Sequence, residues 1–91
     1  MQQRPSDPAK SIRVLLADDH AVVRKGIRDF LEVDPAIQVI AEADDGAVAW
    51  RLIAQQLPDV AVLDIRMPEL SGIELTKRIK AHYPQMRVLI L

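Results

Sequence analysis

The 91-residue sequence contains no cysteine, and aromatic residues make up only 3% of it. Without cysteine the chain can form no disulfide and offers no thiolate to a metal ion. One Trp, one Tyr and one Phe leave little material for stacking against nucleic-acid bases. The formal net charge of −1 shows no excess of either sign, so binding of this segment to nucleic acid or to a membrane surface is not indicated.

Long apolar runs are also missing. No run approaches the roughly 20 residues that span a bilayer, and the polar start MQQRPSDPAKS has no signal-peptide core. We therefore expect a cytoplasmic location. The composition is typical of a globular protein, with 49% hydrophobic and 27% charged residues, and the length suits one small domain. Residues 1–11 lack an apolar pattern and are predicted to form a flexible N-terminal tail before a domain at 12–91.

Strand-like apolar runs alternate with helical patterns along the rest of the chain. Strands are predicted at 12–17, 37–43, 60–63 and 87–91, and helices at 22–32, between Asp45 and Pro58, and at 72–82. Asp45 would cap the second helix, and Ser71 with Glu74 forms a capping box for the third. The residues expected on inner helix faces are Val23, Ile27, Phe30 and Leu31 in the first helix, Ala49, Trp50, Ile53 and Leu57 in the second, and Leu75, Ile79 and Tyr83 in the third.

The order β-α-β-α-β-α-β predicts an α/β fold with a parallel sheet between two helical layers, because strands that are apolar on both faces need cover on both. The crossovers should be right-handed. Ligands bind such sheets at the carboxyl ends of the strands, where the strand order reverses. The first strand ends at Asp18 and Asp19, and the third ends at Asp64. If these strands are neighbours, three carboxylates meet at one edge.

Three converging carboxylates repel one another, so their presence needs an explanation. Caps explain single acids: Asp19 would cap the first helix, and Asp64 would accept turn N–H groups. A hard divalent cation explains all three, because Mg²⁺ prefers oxygen ligands and commonly takes one or two carboxylates together with phosphate oxygens. A carboxylate beside Mg²⁺ is also a nucleophile toward phosphorus. Asp64 suits that role because it stands alone at its strand end, whereas Asp18 and Asp19 form a ready-made pair.

Three segments together resemble a known family. They are Asp18-Asp19-His20 after the first strand, Asp64-Ile-Arg-Met67-Pro68 after the third, and Ser71-Gly72-Ile73-Glu74 at the start of the next helix. In this order and spacing they are similar to the bacterial two-component response-regulator receiver domain. The stretch DDHAVVRKGIRDFLE further resembles the LuxR/FixJ (NarL-like) subfamily, whose receivers precede a helix-turn-helix output domain. The resemblance covers residues 12–91 and implies a flavodoxin-like three-layer fold.

The resemblance implies a role for each acid. Asp64 would be the phospho-acceptor for a sensor histidine kinase, in the presence of Mg²⁺. Asp19 would bind the metal directly, Asp18 would hold a metal-bound water, and the backbone carbonyl of Arg66 would complete the protein's ligands. The resemblance also implies that the domain would not be an enzyme, beyond slow autodephosphorylation. It would belong to a transcription regulator that binds DNA only through a C-terminal helix-turn-helix domain, which we expect outside this chain.

The sequence departs from the family's pattern at its end. The family has five strands, with a Ser or Thr after the fourth and a Lys after the fifth, whereas this sequence ends after its fourth predicted strand. Lys77 and Lys80 belong to the third helix and do not replace that Lys. A receiver truncated in this way would keep its acceptor but lose most of the response to phosphate. We expect self-association through the exposed fourth strand or the uncovered helix face, unless the chain is part of a longer regulator.

Two rival functions stay open. A degenerate receiver would work as a dimerising interaction module without phosphorylation. A Mg²⁺-dependent phosphohydrolase with an aspartyl nucleophile usually carries a second Asp two residues after that nucleophile, and Arg66 at this position argues against it.

Several other residues have a structural and a functional interpretation. His20 is expected at the surface, at the start of the first helix, rather than as a metal ligand. Gly46 and Gly72 are expected to serve turn and helix-start geometry. The first helix also carries a basic patch that is either a solvated face or a kinase docking surface, formed by Arg24, Lys25 and Arg28.

Overall fold

The computed structural model describes residues 11–91. The predicted tail lies outside the described residues except for Ser11, so that prediction stays untested. The elements of the described part are β1 (Ile12–Ala17), α1 (Ala21–Leu31), β2 (Ile37–Ala43), α2 (Gly46–Gln56), β3 (Val60–Leu63), α3 (Gly72–His82) and β4 (Arg87–Ile90). The predicted order is confirmed, although α1 lies one residue earlier and β4 ends one residue earlier than expected. None of the helices in residues 11–91 is long and apolar enough to cross a membrane.

The four strands of the described residues form one parallel sheet in the order β2-β1-β3-β4. β1 and β3 are direct neighbours, with Ala17 opposite Leu63. The register between β1 and β2 shifts between Val14 and Leu15. Because β1 pairs with β3, the residues that follow these two strands emerge side by side at the carboxyl edge, as the sequence predicted.

Two hydrophobic cores cover the two faces of the sheet. Leu15 and Ala17 of β1 pack on one face with Ile53 of α2 and Leu75 of α3. The alternate residues of β1 point to the other face, where α1 contributes only half-buried side chains. This smaller core consists of Val14, Leu16, Val39 and Val62, with Ile27 and Leu31 of α1 packed against it. The alternation along β1 produces the predicted three-layer α/β fold.

The helices begin and end at identifiable caps. The Asp45 side chain accepts a hydrogen bond of 2.8 Å from the Val48 N–H and caps α2, as predicted. At α3 both bonds of the capping box form, each 3.1 Å long, between Ser71 and Glu74. The C-terminus of α2 is closed by Arg13 of β1, whose guanidinium donates to the carbonyls of Gln56 and Leu57. The Arg13 bonds join the C-terminus of α2 to the amino-terminal edge of the sheet.

Some residues predicted to face inward are exposed. Val23 and Phe30 of α1 are 49% and 78% exposed, and α1 has no buried residue. Within residues 11–91 no second helix lies beside α1 on this face, so part of its apolar surface stays uncovered. Leu57 is 53% exposed because it is the C-cap residue of α2, in the left-handed conformation at φ 47°, and no longer follows the helical pattern.

Candidate metal centre at the carboxyl edge of the sheet

The acidic residues begin where the strand ladders end. The Asp64 N–H donates to the Ala17 carbonyl across β1 and β3 at 2.9 Å, and the Asp18 N–H donates to the Ala43 carbonyl of β2 at 3.0 Å. These main-chain bonds anchor Asp18 and Asp64 to the sheet. The expectation that the two strand ends meet is confirmed.

Four side chains converge at this edge. Asp18, Asp19, His20 and Asp64 each offer one possible ligand atom, and these atoms all lie within 4.8 Å of one another. Asp18 is buried at 3% exposure, Asp64 is half-buried, and Asp19 and His20 are exposed. The cluster therefore extends from the sheet interior to solvent.

His20 lies at the surface, as predicted, but its ring belongs to the cluster. Its Nδ1 is 2.9 Å from an Asp19 oxygen and 3.4 Å from an Asp18 oxygen. Its backbone N–H donates to the Asp18 carboxylate at 2.8 Å. Both the ring and the backbone N–H of His20 thus contact the acids that precede it. His20 occupies the N-cap position of α1.

The alternative roles of the acids as caps do not hold. The N-cap of α1 is His20, with no side-chain hydrogen bond to the helix, so the interpretation of Asp19 as a cap is wrong. No donor from residues 11–91 bonds to the Asp64 carboxylate. Two unit charges at 4.8 Å repel by about 3 kcal/mol at an effective dielectric of ~20. Three carboxylates at this spacing form an oxygen donor set that fits a hard divalent cation.

The loop after Asp64 is held by two glycines, through close contact rather than unusual dihedrals. Neither Gly46 nor Gly72 has a positive φ. A Cβ on Gly72 would overlap the Asp64 carbonyl, and a Cβ on Gly46 would overlap the main chain of Leu70. The Gly72 N–H also donates to the Ile65 carbonyl, and the Gly46 N–H donates to the Pro68 carbonyl. Both glycines stand at the first position of their helices, as predicted, and there they allow the close packing of the loop against the starts of α2 and α3.

An open cleft of about 470 Å³ lies beside the cluster. It is lined by Asp19, Ile65, Arg66, Met67, Pro68, Ser71 and Ile73. Arg66 is exposed and brings the one cationic side chain of this lining. The cleft is open to solvent and adjoins the acidic cluster through Asp19.

Arg24 is a site neighbour that the sequence interpretation missed. The sequence places it in a basic patch with Lys25 and Arg28, but its guanidinium donates to the Asp18 carbonyl at 2.6 Å and to Glu42 at 3.0 Å. Arg28 also donates to Glu42, whereas Lys25 pairs with Asp29 in solvent. The basic patch is therefore divided between an ion-pair network and a solvated residue. The signal in the sequence was Glu42, a charge within the otherwise apolar half of β2 nearest the site.

Comparison with known proteins identifies a family and several related proteins. A family model described as the response regulator receiver domain matches residues 14–91. The DNA-binding transcriptional activator DevR/DosR of Mycobacterium tuberculosis (strain ATCC 25618 / H37Rv) is 45% identical over 80 residues, which are 88% of this chain and 37% of that protein. Protein-glutamate methylesterase/protein-glutamine glutaminase 2 of Rhodospirillum rubrum is 47% identical over 75 residues, which are 82% of this chain and 21% of that protein.

A solved structure agrees with the fold. The signal receiver domain of the response regulator NarL from Mycobacterium tuberculosis matches with a TM-score of 0.85 and 40% identity, covering 89% of this chain and 65% of that chain. The chain spans less than two fifths of the length of the two curated relatives described above. By its family match, its sheet order and the position of its acids, the chain belongs to the response regulator receiver domains, of the LuxR/NarL-like kind.

Proposed function

We propose that Asp64 accepts a phosphoryl group from a sensor histidine kinase, with Mg²⁺ bound at the neighbouring acids. The observation that carries the proposal is the state of the Asp64 carboxylate. It lies within 4.8 Å of ligand atoms of Asp18 and Asp19, and no donor from residues 11–91 occupies it. A half-buried carboxylate that accepts no structural hydrogen bond is available as a nucleophile.

The other two acids suit metal binding better than attack. Asp18 is buried and its carboxylate already accepts the His20 N–H, which suits a residue that holds a metal-bound water. Asp19 lines the cleft and is exposed enough to bind the metal directly. Asp64 and the backbone carbonyl of Arg66 would supply the remaining protein oxygens. Bound there, Mg²⁺ would offset the charge of the carboxylates and of the incoming phosphoryl oxygens.

The transfer itself needs little from the protein beyond position. An Asp64 oxygen attacks the phosphorus of the kinase phosphohistidine, and the O–P bond forms as the P–N bond breaks. The electron pair of the broken bond stays on the kinase imidazole. The ladder bond from the Asp64 N–H to Ala17 and the close packing of Gly72 on the Asp64 carbonyl fix the nucleophile during this step.

We propose no enzymatic turnover for this domain beyond slow autodephosphorylation. An aspartyl phosphohydrolase would use a second acid two residues after the nucleophile, where this chain has Arg66. The methylesterase named above shares a receiver-like segment covering 21% of its length, so the same kind of domain occurs with different outputs. Similarity to a transcriptional activator supports a cytoplasmic regulator that binds DNA through a helix-turn-helix domain outside these 91 residues.

Phosphorylation is tested with Mg²⁺ and acetyl phosphate. We expect the intact mass to increase by one phosphoryl group in the wild type and not in Asp64→Asn. The matched control is Asp44→Asn, because Asp44 follows β2 at the same edge of the sheet but lies outside the acidic cluster. A phosphoryl group that persists in Asp64→Asn would contradict the assignment, as would a wild type that stays unmodified even with its cognate kinase.

We also propose that these 91 residues self-associate as an isolated chain. An apolar groove of about 410 Å³ runs between α1 and the end of β4. It is lined by Val23, Gly26, Ile27, Phe30, Leu31, Val62, Leu89 and Leu91. Phe30 at 78% exposure and Leu89 at 54% are costly to leave in water. A second copy, which carries the same apolar groove, is the occupant we propose.

A further inference from the structure

Arg24 connects the first helix to the main chain of the acidic pair. It lies in the first turn of α1, where its own N–H donates to the His20 carbonyl at 2.9 Å. One guanidinium nitrogen donates to the Asp18 carbonyl at 2.6 Å, and another donates to Glu42 on β2 at 3.0 Å. The Arg24 and Glu42 side chains are only 20% and 28% exposed, so the pair is well shielded from solvent.

These contacts, together with the strand pairing, hold the main chain of Asp18 in place. The Asp18 N–H is bonded to Ala43 of β2, and the Asp18 carbonyl is bonded to Arg24, which is itself held by Glu42 of β2. Both main-chain polar groups of Asp18 are therefore tied to the same strand. A planar guanidinium can bond two partners in fixed directions at once, which a single ammonium group does less well.

We infer that Arg24 is a positioning residue for the metal centre, one that holds the Asp18–Asp19 segment in the geometry required for binding a divalent cation. The inference rests on the proposed function and deepens it. Arg24 donates no hydrogen bond to the carboxylates of Asp18 and Asp19; its bond to this segment is with the Asp18 carbonyl. Its removal should therefore act through the placement of Asp18 and Asp19, as loss of a residue that orients metal ligands does in other proteins.

Arg28 provides a matched comparison on the same helix. It also donates to Glu42, at 2.6 Å, but its second partner is Glu32 and it makes no contact with Asp18. The hydrogen bond and the charge of Glu32 raise the pKa of Arg28. Replacing Arg28 weakens the attachment of α1 to β2 without releasing the Asp18 peptide, so it separates helix anchoring from ligand placement.

The test measures Mg²⁺ binding directly, by titrating the protein with Mg²⁺ and following the backbone amide signals of the acidic cluster by NMR. We expect Arg24→Ala and Arg24→Gln to raise the Kd for Mg²⁺ about tenfold, the lower end of the usual effect of such residues. Arg24→Lys should restore only part of the affinity. Glu42→Gln should shift the Kd in the same direction by a smaller factor. Arg28→Ala should leave the Kd within about twofold of the wild type.

Phosphorylation by acetyl phosphate gives a second readout. In Arg24→Gln the rate at low Mg²⁺ should fall, and the rate at saturating Mg²⁺ should return close to the wild-type value. Urea unfolding of each variant reports the stability. If Arg24→Gln binds Mg²⁺ with wild-type affinity, the inference is wrong. Arg24 would then be only a structural anchor, like Arg28, whatever its effect on the free energy of unfolding. If the wild type itself binds no Mg²⁺, the proposed metal centre fails first, and the inference fails with it.

Discussion

Ser71 and Glu74 form the best-defined pair of side-chain contacts near the cleft. The Ser71 N–H donates to the Glu74 carboxylate, and this bond, followed by the one to the Ser71 side chain, lowers the pKa of Glu74 below its ordinary value of 4.5. A carboxyl whose pKa is depressed on folding stabilises the fold above its unfolded pKa. That stabilisation is lost as the pH falls through the folded pKa.

We predict that Glu74→Gln removes this pH dependence. The free energy of unfolding of the wild type should exceed that of the variant at pH 6, and the gap should narrow as the pH falls below about 4.5, the ordinary Glu value. Urea titrations between pH 6 and pH 3 measure the gap. Glu69→Gln, at an exposed position outside the capping box, is the control. It should keep the wild-type dependence of the free energy of unfolding on pH. Identical slopes in Glu74→Gln and the wild type would contradict the role of the Ser71 bond.

Among the elements, α1 shows what a periodic pattern does and does not determine. The pattern correctly identified which face of each helix is apolar. Ile53 and Leu75 are fully buried because α2 and α3 pack on the same face of the sheet and against each other. Phe30 fits its pattern equally well and is 78% exposed, because burial depends on a neighbouring element that the pattern of one helix cannot report.

The start of α3 yields a prediction at the level of element packing. Gly72→Ala would place a Cβ on the Asp64 carbonyl, so either the loop or the helix start must move. We expect a loss of about 1–3 kcal/mol in the free energy of unfolding, together with slower phosphorylation of Asp64. Urea unfolding and the mass assay measure the two effects.

The control lies on another helix. Gly26→Ala in α1 meets no atom within 4 Å and should stabilise the protein by up to about 1 kcal/mol through helix propensity. Equal effects of the two substitutions on stability would show that the close approach at Gly72 does not matter.

For the molecule as a whole, the topology and the acidic cluster followed from the sequence, while the network around Arg24 did not. The adjacency of β1 and β3 was predictable through the family resemblance that Asp18, Asp19 and Asp64 help to carry, since a flavodoxin-like sheet places these two strands side by side. The partners of Arg24 were not predictable, because Asp18 and Glu42 are separated by a helix and a strand and meet only after the sheet forms. The close approach at Gly46 was hidden for the same reason: its neighbour Leu70 lies two elements away.

The apolar groove gives the prediction at this scale. We expect the isolated 91-residue chain to form dimers or larger species at micromolar concentration, and Phe30→Glu to shift it toward monomer because a charge is then placed in the groove. Gel filtration with light scattering measures the masses. Val33→Glu is the control, since Val33 is 80% exposed and lies outside the groove. A wild type that stays monomeric would refute the self-association proposal.

The two cores differ in size: one face of the sheet carries the large core with α2 and α3, and the other carries the smaller core beneath α1. Asp64 directly follows β3, and Ala61 and Leu63 of that strand pack into the large core with α2 and α3. The Asp18–Asp19 pair leads directly into α1, which has no buried residue, so local unfolding of this helix exposes little buried apolar surface. Unfolding of α1 would release Arg24 from the Asp18 carbonyl, while Asp18 and Asp64 would keep their main-chain bonds to the sheet.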